Sequence, residues 1–182
     1  VEIIQTGIKD LVILQPKVFK DDRGYFMEAY KEAWFKEQFP DIHFVQDNES
    51  KSEYGVLRGL HFQNPPYSQT KLVRVIQGEV LDVAVDLRKD SPTYGQHESI
   101  VLSAENKTQF LVPQGFAHGF IVLSETAIFS YKVDNPYSPK HDAGLLWNDT
   151  DLAIDWKVPT SDIKLSDKDG KQPVFKTFKS EF

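Results

Sequence analysis

Arg58 and His61 fall within GVLRGLHFQ, and Lys71 and Arg74 within KLVRVIQGEVLDVAVDL, so three fixed cations and one imidazole stand among residues that favour β-strands. A sheet that only had to fold would carry Val, Ile and Thr there. Cationic and titratable side chains in strand positions suit the floor of a site for an anionic, reactive ligand. If that ligand is a carbonyl compound carrying phosphate, removing a proton beside the carbonyl takes three groups. They are a base poised near neutral pH, a cation or donor for the developing enolate oxygen, and an acid on the opposite face. His61, Lys71 and, from a later segment, Tyr131 are residues of the right types. An imidazole serves as base when a carboxylate holds its other nitrogen; Asp82 and Asp169 both qualify on sequence alone.

The same residues argue against a metal centre. A metal-binding jelly roll places two imidazoles at i and i+2 on one strand, with a carboxylate following and a further His downstream. Here the i+2 position is Gln63 and the only distant candidate is His118, so no metal is assigned. Strict alternation puts Arg58 and His61 on opposite faces, but Gly55 and Gly59 invite a bulge that undoes the count. His118, in PQGFAHGF, reads equally well as a turn residue bonded to backbone. Arg23 and Lys168, taken singly, read as solvated charges in turns, and Tyr131 and Tyr137 as core aromatics with wet hydroxyls.

Around these residues the chain must build a scaffold. Its 182 residues suffice for one domain with a substantial core, and 13 Phe and 7 Tyr with ten Gly and ten Pro favour a β-rich architecture with many turns. A net charge of -6 argues against a nucleic-acid partner bound by broad phosphate neutralisation, so local basic groups serve something small. The absence of Cys rules out disulfides and thiolate chemistry and fits a cytoplasmic protein. No apolar run approaches membrane-spanning length, and the chain as given shows no secretory leader.

In chain order, residues 11–19 read as extended, DDRG as a turn, and YFMEAY as a strand presenting Phe26 and Glu28 on one face. KEAWFKEQF (31–39) reads as a short helix ended by Pro40. In FVQDNES, the polar run Gln46, Asp47, Asn48 reads as a turn or a ligand contact with equal weight. The two strands of the central stretch meet at Gln77-Gly78, a hairpin signal. In the second, Leu81, Val83, Val85 and Leu87 share one face, and Val80, Asp82, Ala84 and Asp86 the other. Strands follow at 97–103, 109–125 (interrupted by PQGFAHG) and 127–133, after which the alternation weakens. The spacing predicts a sandwich or barrel.

Eight motifs carry a resemblance to a known family. RGLHFQ, the stretch from Lys71 to Arg88, SPTYGQ, LSAENK, PQGFAHGF, SYKVDNPYSP, LLWND and LSDKD together resemble the dTDP-4-dehydrorhamnose 3,5-epimerases, from about Ile8 to Pro173. The resemblance implies a mainly β, cupin-type jelly-roll barrel with a few short helices, spanning 1–182 as one domain and ending in a short helical or irregular segment from about 140. It implies catalysis without metal or other cofactor, and a homodimer whose N-terminal strands cross to the partner subunit. It also implies inversion at C3 and C5 of dTDP-4-dehydro-6-deoxy-D-glucose, both α to the C4 ketone. Carried over position by position, His61 is the base, Asp169 its orienting carboxylate in preference to Asp82, Lys71 the enolate stabiliser and Tyr131 the proton donor. Arg23, Glu28, Gln46, Asn48, Arg58, His118 and Lys168 fall at substrate-binding positions, with Phe26 beside Glu28. Asp142 stands where relatives carry Glu, and Tyr137 is placed to pack against the nucleotide or sugar. Epimerases acting at one centre only share nearly all these motifs; a metal-dependent cupin oxygenase and a non-catalytic sugar-nucleotide-binding jelly roll are more distant alternatives.

Overall fold

The computed structural model describes residues 1–182, and nearly all the regular structure is β. The first half of the chain contains β1 (Glu2–Gln5), β2 (Val12–Gln15), β3 (Val18–Asp21), β4 (Gly24–Met27), helix α1 (Glu32–Gln38), β5 (Gln46–Glu53), β6 (Leu57–Gln63), β7 (Lys71–Gln77) and β8 (Glu79–Asp86). Then follow β9 (His97–Ser103), β10 (Gln109–Val112), β11 (Phe116–Val122), β12 (Thr126–Val133) and β13 (Asp142–Gly144). Strands β1-β2-β10-β7-β12-β5 form one sheet and β13-β6-β11-β8-β9 a second; β3 and β4 pair only with each other. The two sheets close into the jelly-roll barrel that the sequence motifs imply, of cupin type.

Three apolar clusters hold it together. Val73, Val80, Ala84, Phe110, Phe116, Phe120 and Phe129 fill the space between the sheets. Leu57, Leu60, Phe62, Leu81, Val83, Val85 and Leu87 lie on the outer face of the second sheet, under Leu145, Leu152 and Trp156 of the C-terminal segment. Phe35 of α1 covers Val12, Leu14, Leu72 and Leu111 on the outer face of the first sheet. A seven-residue helix is not stable alone in water, so this contact holds α1, with Glu32 and Lys36 paired at 2.7 Å.

Two local readings change. Gln77-Gly78 is not a hairpin: β7 pairs with β10 and β12, whereas β8 pairs with β9 and β11, so the chain crosses between sheets at Gly78. Only glycine fits there, since φ is +78° and a Cβ would lie 2.0 Å from the Thr126 carbonyl oxygen. Gln46 to Asn48 are not a turn but the start of β5, paired with β12; the inward positions Gln46, Asn48, Ser50 and Ser52 are polar, which hides the strand period.

The bulge invited by glycine is present. Between Arg58 and His61 β6 spends three steps, while its partner β11 spends two between Phe120 and His118. Both Arg58 and His61 thereby turn into the barrel, while Leu57, Leu60 and Phe62 turn out. Gly59 has φ +141°, and a Cβ on it would lie 2.5 Å from Gly119 Cα. Gly59→Ala is therefore expected to cost about 2–3 kcal/mol, a fall in Tm of roughly 5–10 °C. An unchanged melting curve would show that the bulge does not need glycine.

Past β13 the chain is irregular, with three 3-10 turns at Thr160–Asp162, Asp169–Lys171 and Phe175–Thr177. The stretch from Lys164 to Phe175 forms a strap fastened at both ends. Lys164 N donates to Gly55 O (2.8 Å) and its own carbonyl accepts from Leu57 N (3.0 Å). At the far end Leu146 N donates to Pro173 O (2.9 Å) and Phe175 N to Asp149 Oδ2 (2.7 Å). Behind it, Phe178 and Phe182 pack edge-on against Phe62, with ring centroids 5.4 and 5.9 Å away.

Candidate active site

The barrel opens into a cavity of about 480 Å³. Its walls come from three sources: Arg58, His61 and His118 from the second sheet, Lys71 and Tyr131 from the first, and Lys168 with Asp169 from the strap. Lys71 and Tyr131 share the inward parity of Val73 on neighbouring strands, whereas Arg74, one step out of phase, lies on the outer face with Leu72 and takes no part.

His61 Nε2 is hydrogen-bonded to Asp169 Oδ1, closing the choice between Asp82 and Asp169 that the sequence leaves open. Asp169 is 3% exposed and His61 faces the cavity. Burial pushes the Asp169 carboxyl up, but the bonds from His61 and Ser166 and the charge of Lys168 outweigh it and hold the group below the usual carboxylate range. With Nε2–H given to Asp169, the ring's lone pair is on Nδ1, which makes no bond to the protein.

Lys71 carries its ammonium into this enclosed space. Burial pulls it down to about 8, against the opposing charges of Asp82 and Asp142. Burial raises the Tyr131 phenol, with Arg58 pulling the other way, so the hydroxyl is protonated at neutral pH. Arg58 Nε donates to Ser52 Oγ at 3.1 Å and makes no other hydrogen bond, leaving most of its fork for an anion.

His118 is not a turn residue. It lies within β11, buried, with Nε2 2.8 Å from Asp82 Oδ1, so Asp82 serves this imidazole and not His61. At the rim, Asp142 Oδ2 accepts hydrogen bonds from Tyr137 Oη (3.0 Å) and from Lys168 Nζ. Gln46 Nε2 donates to Asn48 Oδ1 at 2.7 Å, and Asn48 stands opposite Tyr131 in the β5–β12 register.

Gln46, Asn48, Tyr137 and Asp142 do not themselves line the cavity, and three further expected residues lie away from it. Arg23 pairs with Asp21, Phe26 is 66% exposed against Phe19, and Glu28 lies 3.5 Å from Lys31 Nζ. Arg23 and Phe26 belong to the β3–β4 ribbon, and Glu28 follows it directly. Two supporting residues escaped the sequence reading. Ser52 had no signal beyond the polar alternation of β5, but Ser166, which accepts from Asp169 N at 3.1 Å, stands three residues before an acid, the capping-box spacing.

An imidazole, a phenol, an ammonium and a guanidinium thus project from both sheets of one barrel into one cavity, the side-chain set of an enzyme site. The chain belongs to the dTDP-4-dehydrorhamnose 3,5-epimerase family, whose model matches residues 5–177. It is 54% identical over 168 residues to the dTDP-4-dehydrorhamnose 3,5-epimerase of Shigella flexneri, covering 92% of each chain. The crystal structure of the enzyme so named from Elizabethkingia anophelis NUHP1 superposes with a TM-score of 0.92 at 55% identity, over 96% of each chain. That of the dTDP-6-deoxy-D-glucose-3,5-epimerase of Legionella pneumophila, solved with dTDP-4-keto-L-rhamnose, superposes with a TM-score of 0.93 at 45% identity, over 98% of this chain and 94% of that one.

Proposed function

We propose that this chain inverts C3 and C5 of dTDP-4-dehydro-6-deoxy-D-glucose, giving dTDP-4-dehydro-L-rhamnose for dTDP-L-rhamnose synthesis, by proton abstraction and return without a metal. The observation that carries the reading is the placement of His61 and Tyr131 on facing sheets of one cavity, with Lys71 also inside it. His61 Nδ1 takes the proton from the carbon α to the ketone. The C–H electron pair moves into an enolate whose O4 oxygen is met by the Lys71 ammonium. Tyr131 then gives its proton to the other face of that carbon, so the centre inverts. Asp169 steadies the imidazolium until it loses its proton to solvent, and the Tyr131 phenolate, favoured by Arg58, is reprotonated before the second centre reacts. Each cavity imidazole has its own carboxylate, and no three His, Cys, Asp or Glu side chains cluster to hold a metal.

Arg58 and Lys168 supply charge for the diphosphate, and His118, Gln46, Asn48 and Asp142 polar contacts; Tyr137 offers a face for the nucleoside or sugar. Arg23, Phe26 and Glu28 complete the site from the second subunit of a homodimer. This reading is supported by the β3–β4 ribbon, which pairs only with itself and leaves Phe19, Tyr25 and Phe26 exposed. The whole chain acts as one jelly-roll domain in the cytoplasm; no helix in it is long and apolar enough to cross a membrane.

The test is incubation of EDTA-treated protein with the 4-dehydro sugar nucleotide in D2O. Deuterium at both C3 and C5 is expected. Label at one carbon would assign a single-centre epimerase, and bound nucleotide with no label a binding module. Activity returning only with added metal would overturn the metal-free mechanism.

A further inference from the structure

Asp82 takes no part in the steps above, yet it is fully buried on the inward face of β8, among Val80 and Ala84. A carboxylate in such a place is costly unless its charge is met. Four residues along the same strand, Asp86 is saturated: its oxygens accept from Arg88, Ser91 and Thr93 at 2.6–3.0 Å. Asp82 is only half met. Oδ1 has the 2.8 Å bond to His118, and Oδ2 is buried with no hydrogen-bond partner.

The cation that this charge acts on stands on the facing sheet: Lys71, on β7. The charged and titratable groups around Lys71 and its cavity are Asp82 on β8, Asp142 on β13, Glu49 on β5, Arg58 and His61 on β6, His118 on β11, Tyr131 on β12, and Lys164, Lys168 and Asp169 on the strap. Of these, only the two carboxylates Asp82 and Asp142 act to keep Lys71 charged. Asp142 already accepts from Lys168 and Tyr137, and Asp169 is engaged by His61. Asp82 is the buried carboxylate with an oxygen to spare. Its other oxygen acts on His118: burial keeps that ring neutral, so Nε2–H donates to Asp82, and Nδ1, without another protein bond, is an acceptor.

We propose that Asp82 is a positioning residue serving both walls, its charge keeping the Lys71 ammonium protonated for the enolate oxygen while its Oδ1 fixes His118 as the Nε2–H tautomer. His118 then recognises a hydroxyl of the sugar as an acceptor and contributes no positive charge to the diphosphate. This rests on the epimerase reading above.

Asp82→Asn preserves shape and an acceptor for His118 but removes the charge. Without it Lys71, already depressed by burial, loses its proton at a still lower pH. The alkaline limb of the kcat/KM profile, which reports the free enzyme and is expected near pH 8 in the parent, should move down by about one pH unit. The loss of kcat/KM should be roughly fivefold at pH 8 and under about twofold at pH 6, with KM little changed. A variant that melts earlier but keeps the parent's pH profile would overturn the proposal. A second measurement does not depend on the variant folding: in 15N-histidine-labelled parent protein, His118 should show the Nε2–H tautomer from pH 6 to 8. The Nδ1–H tautomer or an imidazolium there would overturn it. Failure of the parent to exchange deuterium would instead defeat the epimerase reading, and the tautomer would still be read.

Discussion

Replacing His61 with alanine is expected to lower turnover about 10³-fold, close to 4 kcal/mol on the barrier, while nucleotide affinity stays near that of the parent protein. The size follows from a single base in the proposed mechanism: burial disfavours the charged form of His118, the other cavity imidazole, in spite of Asp82, and makes it a poor substitute. Tyr131 is protonated and Lys71 charged at neutral pH, so neither replaces the base from the same wall. In the proposed mechanism one base faces both α-carbons in turn, so deuterium from D2O should disappear from C3 and C5 together. If C3 still exchanged while C5 did not, two bases would be at work. Affinity is spared because Arg58 and Lys168, not His61, meet the diphosphate in the proposed complex.

The largest expected effect on stability lies away from the cavity. Asp86→Ala removes the acceptor for the Arg88 guanidinium and for the hydroxyls of Ser91 and Thr93, and leaves Arg88 with only Asp10 and the Lys9 carbonyl. Breaking one side of a buried charged pair costs about 3–5 kcal/mol, which for a chain of this size lowers Tm by roughly 10 °C or more. Turnover per folded molecule at low temperature should be unchanged, because Asp86 does not line the cavity. Burial raises the Asp86 carboxyl, but the bonds from Arg88, Ser91 and Thr93 together outweigh it, and the folded group lies below its ordinary value. Its contribution is therefore present above the unfolded value of about 4 and fades as pH falls through the folded one. The stability gap between parent and variant should narrow below pH 4. Equal melting temperatures at pH 7 would show that the network contributes nothing.

Strand positions were largely legible because β7, β8, β11 and β12 are rich in β-branched and aromatic residues. The bulge was legible too, since Gly59 is hard to place inside a regular strand. Sheet membership was not. The two strands around Gly78 look like a hairpin because adjacent strands usually pair, but each pairs with distant segments instead. The parity of β8 separated Leu81 from Asp82 correctly, yet both faces are buried, so alternation could not say which face looked onto chemistry. The partner of His61 stands 108 residues away, and only tertiary placement decides between Asp169 and Asp82. Arg23, Phe26 and Glu28, which the resemblance places with the substrate, lie on and just after the β3–β4 ribbon, outside the cavity of this chain, and nothing in their local sequence separates the two placements.

The strap that carries Asp169 is also the last part of the proposed site along the chain. In chain order every strand of both sheets, and with them His61, Lys71 and Tyr131, precedes the strap. Until residues 164–175 have been made and fastened between Gly55 and Asp149, the imidazole has no carboxylate behind it. In the proposed mechanism a chain that stops short of the strap therefore holds its base without the carboxylate that orients it.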